Sequence, residues 1–275
     1  MSASLTTREL ADGKLLLDEP AEGVARLTIS NPEKRNALDH PILDAIGAAL
    51  GELAAPGAPV RCVLVTGAHG MFSSGYDIGE IPDERFEQEA ERLVAHPFTQ
   101  AIEALESFPY PTLAALPGHT IGGGLELALA CDLRVAKRGI QLGMPPAKLG
   151  LVYSHTGLRR FVDAIGAART RELFLLGSYV DADAALAWGL VNRVAAGDRL
   201  EATALELARE LAGNAPLSQR GNKRVIAALL AAEGELPDAV ERELTELRRA
   251  SFASADLREG MRAFAERRAP RWRGE

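Results

Sequence analysis

The chain has little of what marks the specialised protein classes. Two cysteines, Cys62 and Cys131, occur in 275 residues. Two thiols cannot build a disulfide framework, and both lie in apolar runs (RCVLV and LALACDL), so buried, reduced thiols in a cytoplasmic protein are expected. No uninterrupted apolar stretch approaches the roughly 18–20 residues that span a bilayer, which excludes a membrane-crossing helix. The N-terminal MSASLTTRELADGKLL also lacks the apolar centre of a signal peptide. Basic charge is scarce: 31 Lys and Arg face 38 Asp and Glu, a net charge of −7. A protein that grips phosphate backbones carries a basic face, so nucleic acid is not an expected partner. The histidines show no metal-ligand spacing, and no metal is expected. There is no internal repeat and no low-complexity linker.

What is present is an ordinary globular composition, 47% hydrophobic and 25% charged, on a chain long enough to bury a large core without staples. Short apolar runs alternate with amphipathic segments over the first two-thirds. Ala25–Ser30, Val60–Gly67, Thr112–Leu116, Leu133–Ala136 and Gln141–Gly143 read as strands, the second almost wholly apolar and therefore central. Pro41–Leu53 reads as a helix capped by Asp39, and Phe86–Phe108 as a second one. Beyond residue 156 helical spacing dominates, near 158–176, 181–189, 198–213, 216–232 and 236–253, with Leu190–Val194 as a further strand. The pattern predicts a parallel α/β core followed by a helical layer.

Two stretches carry chemistry. In Phe72–Ile81 (FSSGYDIGEI) a glycine after the apolar strand allows a tight bend that leaves the Tyr76 amide pointing into a cleft. A glycine turn after a strand is equally a purely structural feature. In Pro117–Asp132 (PGHTIGGGLELALACD) three glycines open a helix. Each costs roughly 1 kcal/mol in a helix interior relative to alanine, so the triple calls for close backbone approach. Unpaired amides at a helix start favour negative charge. Glu126, three residues after Gly123, falls on the same face as that amide. A carboxyl beside an oxyanion donor can move a proton next to a developing enolate; the same glutamate can simply complement the helix dipole.

FSSGYDIGEI and GHTIGGGLELALACDLRVA, with the earlier NPEKRNAL (Asn31–Leu38), resemble the crotonase superfamily, the enoyl-CoA hydratase/isomerase family. The resemblance continues through QLGMPPAKLGLV, DAALAWGLVNRV and EGMRAFAERRAPRW, most of the chain in order. It implies an α/β spiral of ββα units over residues 1–195 and a C-terminal α-helical domain, 196–275, that builds a homotrimer or a dimer of trimers. It also implies an acyl-CoA substrate, CoA being part of that substrate and no separate cofactor. The thioester oxygen would sit between the amides of Tyr76 and Gly123. Lys34, Arg35 and the terminal basic group Arg267, Arg268, Arg271 and Arg273 would meet CoA phosphates, or else stand as solvated surface charges, with Ser74, Asp77, Ile78 and Gly122 completing the CoA site around the two donors.

Departures from the family pattern matter as much. Typical hydratases pair two glutamates; the first is present as Glu126, but Pro146 occupies the position of the second. Ser154, where some isomerases carry their base, is not acidic. The phrase PPAKLGLVYSHTGL is similar to the methylmalonyl-CoA decarboxylase branch, which places a tyrosine at Tyr153. That phenol can bond a substrate carboxylate or carbonyl, position a water, or pack with its hydroxyl satisfied. His155 can serve acid–base chemistry or cap the following helix. The expected activity is a crotonase-type lyase acting through an oxyanion-stabilised enolate, hydratase-like, with decarboxylation of a malonyl-type acyl-CoA as the alternative. A non-catalytic acyl-CoA-binding or scaffolding protein is a reading of another class; the retained Glu126 and triple glycine count against it.

Overall fold

The computed structural model describes residues 7–77, 97–232 and 238–271. The expectations for Ile78, for Arg273 and for the helix before residue 97 lie outside the described residues. No described helix is long and apolar enough to cross a membrane.

Five strands run parallel through the large sheet: β3 (Val24–Ile29), β4 (Cys62–Gly67), β5 (Thr112–Leu116), β7 (Leu133–Lys137) and β10 (Arg193–Ala195). β1 (Arg8–Leu10) and β2 (Leu15–Ala21) extend the β3 edge in antiparallel register. The apolar runs of β4 and β5 follow from burial on both faces. One face meets the main core of Leu27, Ile29, Ile46, Val63 and Val65. The other is covered by α7 (Leu200–Gly213), which sets Ala204, Leu207 and Ala208 against Leu64, Leu113 and Val135. The helix just beyond the boundary expected at 195/196 is thus part of the sheet's cover.

A smaller sheet joins β6 (Thr120–Ile121), β8 (Gln141–Gly143) and β9 (Tyr179–Asp181). Two parallel bridges, Ser73 to Thr120 and Leu38 to Tyr76, continue that layer. The chain therefore coils. Each turn lays one strand in the large sheet, one extended stretch in the small layer, and then a helix. β3 leads through Leu38 to α1 (His40–Leu53), and β4 through Ser73–Tyr76 toward α2 (Thr99–Ser107). β5 leads through β6 to α3 (Gly123–Leu129), and β7 through β8 to α4 (Pro146–Leu149) and α5 (His155–Leu175). This is the expected ββα spiral, and it stacks the ends of its turns into one layer.

Local sequence explains the ends. Asp39 caps α1 by accepting from the Ile42 amide at 3.0 Å. Leu190 and Val191 are buried but form no strand; they close the end of α6 (Ala182–Trp188) through bonds to the Ala185 carbonyl, past Gly189 in the left-handed region. The strand expected at Leu190–Val194 accordingly starts later, at Arg193. The tail comprises α8 (Pro216–Ala232), α9 (Asp238–Ala253) and α10 (Ala255–Ala265). α10 seats Gly260 on the backbone of Leu149, where a Cβ would stand 2.5 Å from the carbonyl oxygen. α8 instead leaves Leu217, Val225, Ile226 and Leu229 between 56% and 80% exposed.

Candidate active site

The site lies where the small layer meets α3 and α5. Its first wall is the turn Ser73–Asp77, held from below by the NPEKRNAL loop. Asn36 is 1% exposed, accepts from the Asn31 amide, and donates to the carbonyls of Ala68 and Met71 at 3.0 and 2.8 Å. Leu38 then donates to Gly75 and accepts from the Asp77 amide. Tyr76, between those two bonds, keeps its own amide without an acceptor among the described residues. Gly75 sits at φ +100°, and a Cβ there would press within 3.2 Å of the Gly123 nitrogen, so only glycine allows the two segments to touch.

The triple glycine has three separate reasons. Gly122, at φ +57° and ψ −129°, turns the chain from β6 into α3. Its amide is already bonded to the Gly143 carbonyl at 2.9 Å. A Cβ on Gly123 would lie 2.9 Å from Cε1 of Tyr76, and one on Gly124 would lie 2.6 Å from the Ser73 side chain. The Gly123 amide has no acceptor among the described residues. Two unspent amides, Tyr76 and Gly123, thus belong to segments in van der Waals contact, and Gly122 contributes shape rather than a donor.

Glu126, in the first turn of α3, is 2% exposed. Its Oε2 accepts a short hydrogen bond from the Tyr153 hydroxyl, and its Oε1 accepts from Arg160 at 3.2 Å. Tyr153 Oη also lies 3.4 Å from Tyr76 Oη. The Tyr153 ring packs edge-on against Phe174, and the Tyr76 ring against Phe98 at 4.6 Å. Burial pushes the Glu126 carboxyl above the usual carboxylate range, against the opposing pull of the Tyr153 hydroxyl and Arg160. Burial, then the charge of Glu126, drives both phenols well above an ordinary tyrosine. At neutral pH both phenols therefore keep their protons.

Pro146 opens α4 and is buried, so no carboxylate occupies the second-glutamate position. Ser154 caps α5 by accepting from the Gly157 amide at 3.1 Å, which leaves it a structural task. His155 is the first residue of that helix and pairs with Glu241 at 3.7 Å; the cap is Ser154, not His155. Lys34 and Asp77 pair with each other at 2.7 Å, and Ser74 Oγ donates to the Lys34 carbonyl. Arg35 is exposed beside them. These four expected CoA-site residues form one cluster at the turn that carries Tyr76. Arg267 stands apart from it, exposed at the turn after α10 with φ +53°. Cys62 and Cys131 are buried, and burial raises both thiols to about 12.

Three participants escaped sequence reasoning. Arg160 and Glu106 stand in no motif of the sequence, yet Arg160 donates to both Glu126 and Glu106. Gly157 drew no expectation of its own, yet a Cβ on it would lie 2.6 Å from the Tyr153 ring and 2.9 Å from Glu126 Oε1. A glycine four residues after a tyrosine in a helix start was the only signal available.

A family model for enoyl-CoA hydratase/isomerase matches residues 19–275. A probable enoyl-CoA hydratase of Bacillus subtilis (strain 168) is 34% identical over 255 residues, covering 92% of this chain and 96% of that protein. The enoyl-CoA isomerase/hydratase of Mycosarcoma maydis is also 34% identical, over 269 residues, covering 94% and 96%. Among solved structures, methylmalonyl-CoA decarboxylase in complex with 2-nitronate-propionyl-CoA superposes with a TM-score of 0.85 at 28% identity, over 95% of this chain and 99% of the other. Coiled ββα turns, two unspent amides and a buried carboxyl, matched end to end in sequence and in space, place the chain in one family: it belongs to the enoyl-CoA hydratase/isomerase family, the crotonase-type enzymes that act on acyl-CoA thioesters.

Proposed function

We propose that this member is a lyase that forms a thioester enolate by decarboxylating a malonyl-type acyl-CoA. The observation that carries it is the state of Glu126: both oxygens are engaged by protein donors, and Pro146 stands where a second carboxylate would be. A lone, occupied carboxylate cannot hold a water from two sides, as hydration requires. Decarboxylation asks less. The bond from Cα to the carboxylate breaks, CO2 leaves, and its electron pair becomes the enolate, whose oxygen the Tyr76 and Gly123 amides receive. The Cα then takes the proton held between Tyr153 and Glu126, and solvent restores it. Lys34, Arg35, Ser74, Asp77 and Gly122 serve the CoA end of their own subunit, and Arg267 reaches the phosphates of a CoA held by a neighbouring subunit.

Hydration of a 2-enoyl-CoA is the second reading, favoured by the names of the relatives at 34% identity. Turnover of methylmalonyl-CoA and crotonyl-CoA by the purified protein, followed side by side as CO2 release and loss of the conjugated double bond, tests the choice. The decarboxylase reading expects CO2 and propionyl-CoA, with crotonyl-CoA consumed far more slowly; the reverse order overturns it.

Of the helical region expected from residue 196, the tail beyond α7, from Pro216 onward, is proposed to serve assembly, as a homotrimer or dimer of trimers. The exposed apolar side chains of α8 support that reading, because contiguous apolar patches commonly mark interfaces. Mass measurement in solution tests it, and a monomer at micromolar concentration would contradict it. Two buried, unpaired thiols support a cytoplasmic setting.

A further inference from the structure

Behind Glu126 lies a second ion pair with no part in the chemistry described so far. Arg160, on the second turn of α5, is four-fifths buried along its side chain. One nitrogen reaches Glu126 Oε1 at 3.2 Å; the other edge of the guanidinium grips Glu106 of α2 with two bonds, at 2.6 and 2.9 Å. A two-bond carboxylate–guanidinium fork is the stronger and more directional arrangement, so the position of Arg160 is dictated by Glu106. Glu106 itself is at the surface, its side chain 42% exposed. A solvent-facing carboxylate is therefore linked, through one arginine, to a carboxyl sealed in the core.

We propose that Arg160 and Glu106 act as a positioning pair for Glu126: Glu106 fixes the guanidinium, and the guanidinium turns Glu126 toward Tyr153 and meters the positive charge it feels. The inference rests on Glu126 being the reacting carboxyl. Geometry alone would let Arg160 neutralise Glu126 completely. By drawing the guanidinium toward itself, Glu106 shares that charge, which leaves Glu126 able to hold a proton when one is needed. The direction agrees with the local electrostatics, in which Arg160 favours the charged form of Glu126 while Glu106 opposes it. Among the described residues the other groups facing this site are Tyr153 ahead of α5 and Tyr76 after β4. Arg248 of α9 adds a positive charge felt by Tyr76.

The pair makes a prediction that a merely structural role does not: its two halves act in opposite directions. With glutamate carboxyl carbons labelled by 13C, the Glu126 signal can be assigned by its loss in Glu126→Gln, and its titration followed without any substrate. Arg160→Met removes the positive charge, so the Glu126 midpoint should rise, by about 1–3 pH units for a charge in contact. Glu106→Gln leaves Arg160 undivided, so the midpoint should fall, by less. Arg160→Lys keeps the charge but not the fork, and should lie between wild type and Arg160→Met. If Arg160→Met does not fold, Glu106→Gln and Arg160→Lys carry the test, since one variant is at the surface and the other retains the charge. Midpoints that stay fixed, or that move in the same direction in both series, would overturn the pair. The pH profile of kcat/KM on whichever acyl-CoA is turned over should follow the same two directions. A profile that ignores them while the titration moves would instead overturn the role of Glu126 as the reacting acid, so the two failures are told apart.

Discussion

Two carboxylates, one inside the short helix α3 and one just past its end, are held in opposite ways. Asp132, just past α3, accepts from the Thr112 amide at 2.7 Å, the Thr112 hydroxyl at 3.0 Å and Lys223 Nζ at 2.7 Å. Glu126, inside α3, accepts from a phenol and a guanidinium, with no backbone donor. Asp132 is one-third exposed along its side chain and Glu126 almost wholly buried. A carboxylate meant to stay put is tied to backbone amides. The one proposed to exchange a proton is left in low dielectric against a phenol and a guanidinium.

That contrast can be broken most directly at Glu126. Glu126→Gln should lower kcat by about 10²–10⁴-fold, the usual worth of a positioned acid or base, while raising stability at neutral pH. The sign follows from burial. A carboxyl raised in the folded state binds its proton more tightly there than in the unfolded chain, so wild-type stability falls as pH climbs from the unfolded value through the raised one. The Tm advantage of Glu126→Gln should therefore vanish at low pH and grow toward neutrality; thermal melts across pH check it, and an advantage that is largest in acid would refute it. Tyr153→Phe comes next, at about 10²-fold in kcat, if the proton passes through the phenol. A change in KM alone would reduce Tyr153 to an orienting role.

Asp132→Ala should do the reverse of Glu126→Gln. It strands the buried Thr112 amide and frees Lys223, so unfolding free energy should drop by about 1–3 kcal/mol, with kcat unchanged well below the melting point. A denaturant titration beside steady-state kinetics reads both. Smallest is Tyr76→Phe. Its hydroxyl lies 3.4 Å from that of Tyr153 and its amide is untouched, so a loss of only about a few-fold in kcat is expected, the range of one weak hydrogen bond. A loss as deep as that of Tyr153→Phe would make Tyr76 an equal member of the proton path.

What was legible in the sequence was what is written locally. The capped helix α1 and the apolar strands β4 and β5 announce themselves by spacing and composition. β1 and β2 do not: Arg8–Leu10 is three residues, and LLLDEPA breaks its alternation with Asp18 and Pro20. α10, rich in arginine and alanine, shows its apolar face through Leu257 and Met261, which pack with Phe252 of α9 and with Leu149 and Leu151. In the site, Tyr76, Gly123, Glu126 and Tyr153 stand in recognisable phrases. Arg160 and Glu106 do not, because their meaning comes from pairs 34 and 54 residues apart in the chain. A charged residue beside another charged residue on a helix looks like any solvated face until the fold turns it inward.

The same Lys223 that meets Asp132 also points at the carbonyls of Leu105 and Tyr110, at 3.5 and 3.3 Å. Seven residues on, the Leu230 carbonyl accepts from Arg159 at 3.2 Å. At 1.5 Å per residue these two attachments stand about 10 Å apart along α8. These two pins, with the Arg220 guanidinium 5.8 Å over the Tyr110 ring, fix the heading of the rod. The apolar residues between them, Val225, Ile226 and Leu229, are thus offered outward at an angle set within the single chain, so the geometry of the proposed interface would be fixed before a partner subunit arrives.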